Sequence, residues 1–161
     1  MSKLTHIDDN GAARMVDVGG KPETRRRAVA EGFLIAGEAV MAAIESGRAP
    51  KGNVYETARL AGIMAAKRTA SLIPLCHPLP LDHVAIDFEP GADRIRIVVE
   101  ASTRAPTGVE MEALTAVAVA GLTLYDMTKA LSKTMRLTGV RLLEKSGGRS
   151  GCYRAAEDSN D

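Results

Sequence analysis

Alternation of apolar and polar residues predicts most of the strands. The clearest pattern lies in residues 82–102, where two alternating runs flank the turn dipeptide Pro90–Gly91 and predict a hairpin. Residues 25–37 alternate in part and predict a strand, and residues 137–146 predict a last strand. A short extra N-terminal strand is predicted over residues 14–20, which end in two glycines.

Three other segments predict helices. Residues 38–47 end in a glycine that is typical of a helix C-terminus. Residues 53–67 begin with an asparagine N-cap, and Glu56 completes a capping box three residues later. Residues 109–133 predict a long and very apolar helix. Before it, residues 71–81 carry three prolines within seven residues, a spacing that predicts a stiff loop.

The order of these elements, β-α-α-β-β-α-β without the N-terminal strand, predicts an α+β fold. Apart from the split first helix, it matches the βαββαβ arrangement of a ferredoxin-like fold. We therefore expect an antiparallel sheet with helices on one face and a second subunit as cover for its other face. We also expect a mobile arm over residues 1–13, a single domain over residues 14–151 and a polar tail over residues 152–161.

Composition narrows the class of protein. The 161 residues are 45% hydrophobic and 25% charged, as expected of one globular domain. The chain shows neither an apolar run long enough to span a membrane nor a signal segment, so we expect a cytoplasmic protein. Two cysteines make no disulfide framework. A net charge of +1 and an aromatic content of 3% disfavour nucleic-acid binding, although local basic clusters suit a small anion.

The longest predicted helix carries its charges near its two ends. Asp126 and Lys129 can meet on one face, because they are separated by one helical turn. The preceding turns are apolar, so we expect a buried, catalytic pair, with a solvated ion pair as the simpler alternative. Glu110 and Glu112 have either a functional role or a helix-dipole role. Glu112 lies roughly 21 Å from Asp126 along the axis, which predicts either a site shared between subunits or two separate roles.

Further candidates lie on the proline-containing loop. Cys76 and His77 are adjacent there, but two cysteines and three histidines without a paired spacing disfavour a metal site. Adjacent side chains on an extended loop also disfavour a Cys–His nucleophile, so we expect Cys76 to be a small buried residue. His77 either contacts a substrate or is structural.

Basic residues at two other places are candidates for anion binding. Lys51 precedes a helix N-terminus, where it is either a solubilising residue or part of an anion-binding or acid–base site. The glycine-rich, basic residues 144–151 either cradle a phosphate or form a flexible loop. They lack the spacing of a Walker sequence, so this signal is weak.

Five stretches together resemble one protein family. They are MVDVGGKPET, PKGNVYETARLAGIMAAKRT, LIPLCHPLPL, GVEMEALTAVAVAGLTLYDMTKA and VRLLEKSGGRSG, and they extend over most of residues 14–151. The family is that of cyclic pyranopterin monophosphate synthase, the molybdenum cofactor biosynthesis accessory protein C. The chain departs from the family pattern at Gly19–Gly20, where the family often has a serine, and in the details of hairpin 82–103.

The resemblance implies an enzyme with a defined reaction. The family converts (8S)-3',8-cyclo-7,8-dihydroguanosine 5'-triphosphate to cyclic pyranopterin monophosphate and releases pyrophosphate, an early step of molybdenum cofactor (molybdopterin) biosynthesis. The resemblance implies no cofactor, and leaves open whether Mg²⁺ accompanies the triphosphate. It implies a homohexamer, a trimer of dimers with intersubunit sites, which agrees with the distance between Glu112 and Asp126 along the helix.

A non-catalytic nucleotide- or pterin-binding module is the main alternative to this function. A ferredoxin-like RNA binder is disfavoured, because the strands of the predicted hairpin present no aromatic stacking pair.

The resemblance also assigns roles to individual residues. By residue match, Asp126 is the catalytic acid or base of the domain, with Lys51 and Lys129 beside it. The resemblance also implies a set of residues that bind the substrate, either by direct contact or by completing a pocket that carries both positive and negative charges. These residues are Leu75, Cys76, His77, Glu110, Met111, Glu112, Lys67, Arg26 and Lys145.

Overall fold

The structure, a computed structural model, describes residues 6–8 and 10–156 of the chain. The predicted mobile arm and polar tail therefore lie in part outside the described residues, and the division of the chain into arm, domain and tail stays a prediction. The elements in chain order are β1 (Thr24–Ile35), α1 (Glu38–Glu45), α2 (Val54–Ala66), α3 (Thr69–Leu72), β2 (His83–Pro90), β3 (Arg94–Ala105), α4 (Glu110–Thr128), β4 (Arg136–Ser146) and β5 (Tyr153–Arg154).

The strands form one antiparallel sheet in the order β2-β3-β1-β4-β5. β1 pairs with β3 on one side and with β4 on the other, so the first strand is central, as the βαββαβ topology requires. The helices lie on one side of the sheet. The predicted α+β class and ferredoxin-like arrangement are therefore confirmed.

The core lies between the sheet and α4. Alternate residues of β1 and β3, such as Ala30, Leu34 and Ile97, point toward the helices and are fully buried. α4 packs across β1, β3 and β4 and buries most of its apolar residues. An unpaired charge in this environment would be strongly destabilising, which explains why charge is confined to the ends of α4. No helix in the described part of the chain is long and apolar enough to cross a membrane.

Small residues let α2 lie close against α4. Gly62 of α2 faces Ala116 and Ala120 of α4. A Cβ atom at position 62 would come within 3.1 Å of the Ala116 carbonyl oxygen and would also meet the Ile86 side chain. α4 is therefore held between α2 and the sheet as a strut, and its two ends have fixed positions.

Several predicted boundaries agree with the structure. The hairpin forms β2 and β3, and residues 25–37 and 137–146 correspond to β1 and β4. Asn53 caps α2 as predicted, because its side chain accepts a hydrogen bond of 3.1 Å from the backbone N–H of Glu56. The stiff loop begins slightly later than predicted, since its first two residues complete α3.

Other boundaries were wrong. Residues 14–20 do not form an extra N-terminal strand, although they alternate apolar and polar residues. Val16 and Val18 instead line a cavity beside the proline-containing loop, so the alternation reports one-sided burial without strand pairing. α4 ends at Thr128, well before residue 133, because a turn follows in which Leu131 N–H donates to Thr128 O at 2.8 Å. Within the predicted tail, two residues pair with β4 as strand β5.

The sheet face opposite the helices is covered by ion pairs. Glu31 is 3% exposed and accepts hydrogen bonds of 2.7 Å from Nε of both Arg96 and Arg141. Arg27 pairs similarly with Glu100 at 2.6 Å. These charges satisfy one another within the chain, and the expectation that a second subunit covers this face stays a prediction.

Candidate functional site

Three charged side chains form a cluster at the C-terminal end of α4. Oδ2 of Asp126 accepts a hydrogen bond from Nζ of Lys51 at 2.6 Å, and Oδ1 lies 2.7 Å from Nζ of Lys129. Lys129 follows Asp126 by one turn, whereas Lys51 comes from the loop between α1 and α2, where Gly52 has a φ of 90°. The Asp126 side chain is 51% exposed, so the prediction of a buried pair was wrong. The apolar turns of α4 that precede Asp126 pack into the core, but Asp126 itself lies beyond the edge of the core.

Ion pairing fixes the charge of this cluster. The hydrogen bond from Lys129, followed by that from Lys51, lowers the pKa of Asp126 to about 2. Asp126 in turn raises the pKa of Lys129. The carboxylate is therefore ionised, and the Lys129 ammonium charged, at neutral pH.

The N-terminal end of α4 presents two carboxyl groups in different surroundings. Glu112 is 4% exposed, and loss of solvation raises its pKa to about 7, with a further contribution from the charge of Glu110. Glu110 itself is half-buried and forms an ion pair, its Oε1 lying 3.0 Å from Nζ of Lys145. Glu112 can therefore gain or lose a proton near neutral pH.

Two adjoining cavities open beside this end of α4. The first has a volume of about 450 Å³ and is lined by Glu112 and loop residues 75–77. The second has a volume of about 510 Å³ and is lined by the cations Arg26 and Arg149. Both include Lys21. A ligand that spans them would meet a carboxyl group at one end and cations at the other, which suits an N–H-rich ring joined to an anionic group.

Two loop residues, Cys76 and His77, also line the first cavity. Cys76 is half-buried, and burial raises the pKa of its thiol, with a further contribution from Glu112. It therefore remains a neutral thiol near neutral pH, which disfavours nucleophilic chemistry. Nε2 of His77 lies 2.7 Å from the carbonyl oxygen of Val16.

The residues implied by the resemblance fall into two groups. The first cavity is lined by Leu75, Cys76, His77, Glu110, Met111 and Glu112. Arg26 lines the second cavity, and Lys145 is tied to it through its ion pair with Glu110. Asp126, Lys51 and Lys129 lie at the other end of α4, so one chain does not bring the two groups together. Lys67 is exposed at the C-terminus of α2 and lines neither of these cavities.

Several residues that line the cavities were not among the predicted site residues. Val16, Val18 and Lys21 come from the extended N-terminal segment, and Thr107 and Gly108 come from the connection before α4. The sequence signal that could have indicated them is Gly108, a glycine that lies just before the acidic first turn of α4. A Cβ atom at Gly108 would meet the Glu110 carboxylate, so a larger residue there would displace that carboxylate from its present position.

Fold and site together define a class of protein. It is a ferredoxin-like α+β protein whose central helix carries a lysine–carboxylate cluster at one end and an anion-compatible groove at the other. Comparison with known proteins narrows this class to one family.

Residues 15–148 match the MoaC family. Cyclic pyranopterin monophosphate synthase of Novosphingobium aromaticivorans is 59% identical over 157 residues, which cover 98% of this chain and 100% of that protein. The protein of the same name from Methylobacterium sp. (strain 4-46) is 59% identical over 96% of this chain and 98% of its own length. Cyclic pyranopterin monophosphate synthase 3 of Mycobacterium bovis is 58% identical over 94% of this chain and 86% of its own length. The chain belongs to the MoaC family, as its sequence motifs predicted.

Proposed function

We propose that this protein is an enzyme, a cyclic pyranopterin monophosphate synthase. It converts (8S)-3',8-cyclo-7,8-dihydroguanosine 5'-triphosphate to cyclic pyranopterin monophosphate and releases pyrophosphate, an early step of molybdenum cofactor biosynthesis. The observation that carries this proposal is the near full-length similarity to proteins of that name. The two charged regions at the ends of α4 support it, because both contain residues that the reaction can use.

The groove at the N-terminal end of α4 suits the substrate. Arg26, Arg149 and Lys21 in the second cavity are donors for the triphosphate and for the pyrophosphate that leaves. The first cavity offers Glu112 to the N–H donors of the guanine-derived ring. Loop residues 75–77 form the wall of that cavity and position the ring between them and α4.

The cluster around Asp126 suits proton transfer. Opening the guanine-derived ring and closing the pterin ring requires several proton transfers, which a mixed acid–base cluster supports. A carboxylate with a pKa of about 2 is a weak proton acceptor, and the raised pKa of Lys129 makes that ammonium group a weak proton donor, so we assign proton transfer to Lys51. Asp126 lies between the two lysines and holds both ammonium groups in place at 2.6 and 2.7 Å.

The two regions form one site when a second subunit supplies the missing end. No side chain spans the roughly 21 Å between Glu112 and Asp126, so the cluster of one subunit must meet the groove of another. Exposed apolar side chains on α2 and α4 support this assembly, since Leu60 is 61% exposed and Leu122 is 59% exposed. We propose a homohexamer built as a trimer of dimers, with sites between subunits.

We also propose a cellular compartment and a cofactor requirement for the protein. Cys76 and Cys152 are free thiols in the structure, which suits a reducing cytoplasm. We assign no protein-bound metal or organic cofactor, and treat Mg²⁺ as a companion of the triphosphate. The assay below is therefore run both with added Mg²⁺ and with a chelator.

A direct assay tests the function. The purified protein is incubated with the cyclic dihydroguanosine triphosphate, and pyrophosphate release and pterin fluorescence after oxidation are followed. Stoichiometric pyrophosphate and pterin, lost at least about 100-fold in Lys51→Ala, would support the synthase. Arg94→Ala is the matched control, because it also removes a cation from an exposed ion pair, the one with Asp93 at 2.8 Å. Tight binding without product would favour the non-catalytic module.

A further inference from the structure

An extended N-terminal segment forms one wall of the first cavity. We call residues 14–21 the N-terminal strap. Within it, Val16 and Val18 are half-buried and line the cavity, and the other strap residues are exposed. Lys21, at the end of the strap, lines both cavities. The strap thus adds a cation and two apolar side chains to the groove, although it belongs to no strand or helix.

One hydrogen bond fastens this strap to the domain. Nε2 of His77 lies 2.7 Å from the Val16 carbonyl oxygen. The other hydrogen bonds of the strap run within the N-terminal segment, such as Lys21 N–H to Val18 O at 3.0 Å. Among the described residues, the His77 contact is the only hydrogen bond between the strap and the rest of the domain. The position of the strap therefore depends on the His77 ring.

The partner of Nε2 fixes the tautomer of His77. A carbonyl oxygen only accepts hydrogen bonds, so Nε2 must carry a hydrogen in both the neutral and the charged ring. Nδ1 then carries the free acceptor lone pair of the neutral ring. The structure gives Nδ1 no hydrogen-bond partner among the described residues, and the ring lines the first cavity. Nδ1 is the ring nitrogen left for a ligand.

We propose that His77 has two separable functions, one at each ring nitrogen. Nε2 is a positioning group that holds the N-terminal strap, and with it Lys21, against the groove. Nδ1 faces the groove and is the atom through which His77 makes a hydrogen bond to the substrate. The second part rests on the proposed function, whereas the first concerns the free protein.

Two amide variants separate these functions. In His77→Gln the amide nitrogen reaches the place of Nε2 and can still donate to Val16, but no group replaces Nδ1. In His77→Asn the shorter amide reaches the place of Nδ1 and falls short of Val16. His83→Gln is the control, because His83 is exposed at the start of β2 and lines neither cavity.

Hydrogen exchange of the strap amides reads out the first function. We expect exchange of the Gly19 and Lys21 amides, which donate hydrogen bonds within the docked strap, to be about fivefold faster in His77→Asn, the factor that corresponds to about 1 kcal/mol for one lost hydrogen bond. Exchange in His77→Gln and His83→Gln should match that of the unchanged protein. Equal acceleration in His77→Gln and His77→Asn, or none in either, would overturn the positioning role.

Steady-state kinetics read out the second function. We expect kcat of His77→Gln to fall about 10- to 100-fold with little change in KM, as for loss of a hydrogen bond that a charged substrate makes more strongly in the transition state. His77→Asn should retain more kcat but show a raised KM, because Lys21 is no longer held at the groove. The reverse pattern, with kcat kept in His77→Gln, would overturn the role of Nδ1.

The tautomer can be measured without substrate. Long-range ¹H–¹⁵N correlation of the imidazole ring, assigned with His77→Gln, should show the hydrogen on Nε2 and an unprotonated Nδ1 in the neutral ring. A hydrogen on Nδ1 would overturn both parts of the proposal. Should the unchanged protein lack synthase activity, the proposed function fails, while the exchange and tautomer measurements still decide the role of Nε2.

Discussion

The two ends of α4 carry the same chemical group in opposite states. Asp126 at the C-terminal end is half exposed, and two ammonium groups lower its pKa to about 2. Glu112 at the N-terminal end is almost fully buried, and desolvation raises its pKa to about 7. At neutral pH the first carboxyl group is a fixed anion, whereas the second is shared between its neutral and charged forms.

This difference shows that the surroundings of each carboxyl group outweigh its place on the helix. The helix dipole would favour an anion at the N-terminus and disfavour one at the C-terminus, typically by less than about 1 kcal/mol. The observed order is the reverse, because desolvation of Glu112 and ion pairing of Asp126 are larger effects. α4 thus holds two different carboxyl groups at a fixed separation: Asp126, which stays ionised beside its two lysines, and Glu112, which titrates near neutral pH.

The largest predicted effect concerns the fixed anion. Asp126→Asn removes the charge that holds Lys51 and Lys129 together, so we expect kcat to fall by about 10²- to 10⁴-fold. The carboxylate is exposed, so the thermal midpoint should change little. Asp93→Asn is the matched control, because it neutralises another exposed carboxylate that pairs with a neighbouring cation. A variant with nearly full kcat would contradict a role for Asp126 at the reacting site.

Subunit mixing tests whether the two ends serve one site. Asp126→Asn and Glu112→Gln chains, each weakly active alone, are co-expressed so that they assemble at random. If one subunit supplies Asp126 and its partner supplies Glu112, about one quarter of the sites receive both unchanged residues. We therefore expect about a quarter of the native activity in the mixed assembly. Activity no higher than that of the separate variants would mean that one chain supplies both ends.

Most of the fold was predictable from local pattern. The hairpin, the Asn53 cap and the apolar run of α4 each carry their signal within a few turns or residues, so periodicity and capping chemistry located them. The strand predicted over residues 14–20 was wrong, because alternation reports burial of one face and carries no information about pairing. Strand β5 was missed, since two residues give no periodic signal.

The site was predictable in composition but only partly in geometry. The three-residue spacing of Asp126 and Lys129 predicted their ion pair, which forms at 2.7 Å. Nothing local indicates that Lys51 reaches the same carboxylate from 75 residues away, because that contact depends on how α2 packs. The exposure of the cluster and the burial of Glu112 are likewise tertiary properties, so both pKa directions required the structure.

A smaller effect concerns the titrating acid. The pKa of Glu112 is about 7 in the folded protein and near 4.5 in the unfolded chain, so the folded state binds this proton more tightly. This contribution to stability is complete below about pH 4.5 and is lost as pH rises through about 7, a change of about 3 kcal/mol. Glu112→Gln does not titrate, so relative to the unchanged protein it should gain stability by that amount over this range. Urea denaturation at several pH values measures the difference.

Glu100→Gln is the control of opposite sign. Arg27 lowers the pKa of Glu100, so the stability that this carboxylate contributes is present above its unfolded pKa and lost as pH falls. The Glu100→Gln variant should therefore lose stability relative to the unchanged protein as pH rises through the acidic range. A pH-independent difference for Glu112→Gln would contradict the buried, raised-pKa state of Glu112.

The smallest predicted effect resolves the two cations around Asp126. Lys129 lowers the pKa of Asp126 more than Lys51 does, so Lys129→Ala should raise that pKa from about 2 toward 3.8 by more than Lys51→Ala does. A ¹³C titration of the Asp126 carboxyl group measures both shifts. Arg94→Ala is the control, because it should raise the pKa of Asp93 and leave that of Asp126 unchanged.

Equal shifts in the two lysine variants would mean that Asp126 is a symmetric bridge between two equivalent ammonium groups. A larger shift in Lys129→Ala would instead make Lys129 the resident counter-ion, which the helix itself positions one turn away. Lys51, which lies on the loop between α1 and α2 and is not positioned by α4, would then be the ammonium group that leaves the carboxylate and donates its proton. That outcome would distinguish the two lysines chemically, although both lie within 2.7 Å of the same carboxyl group.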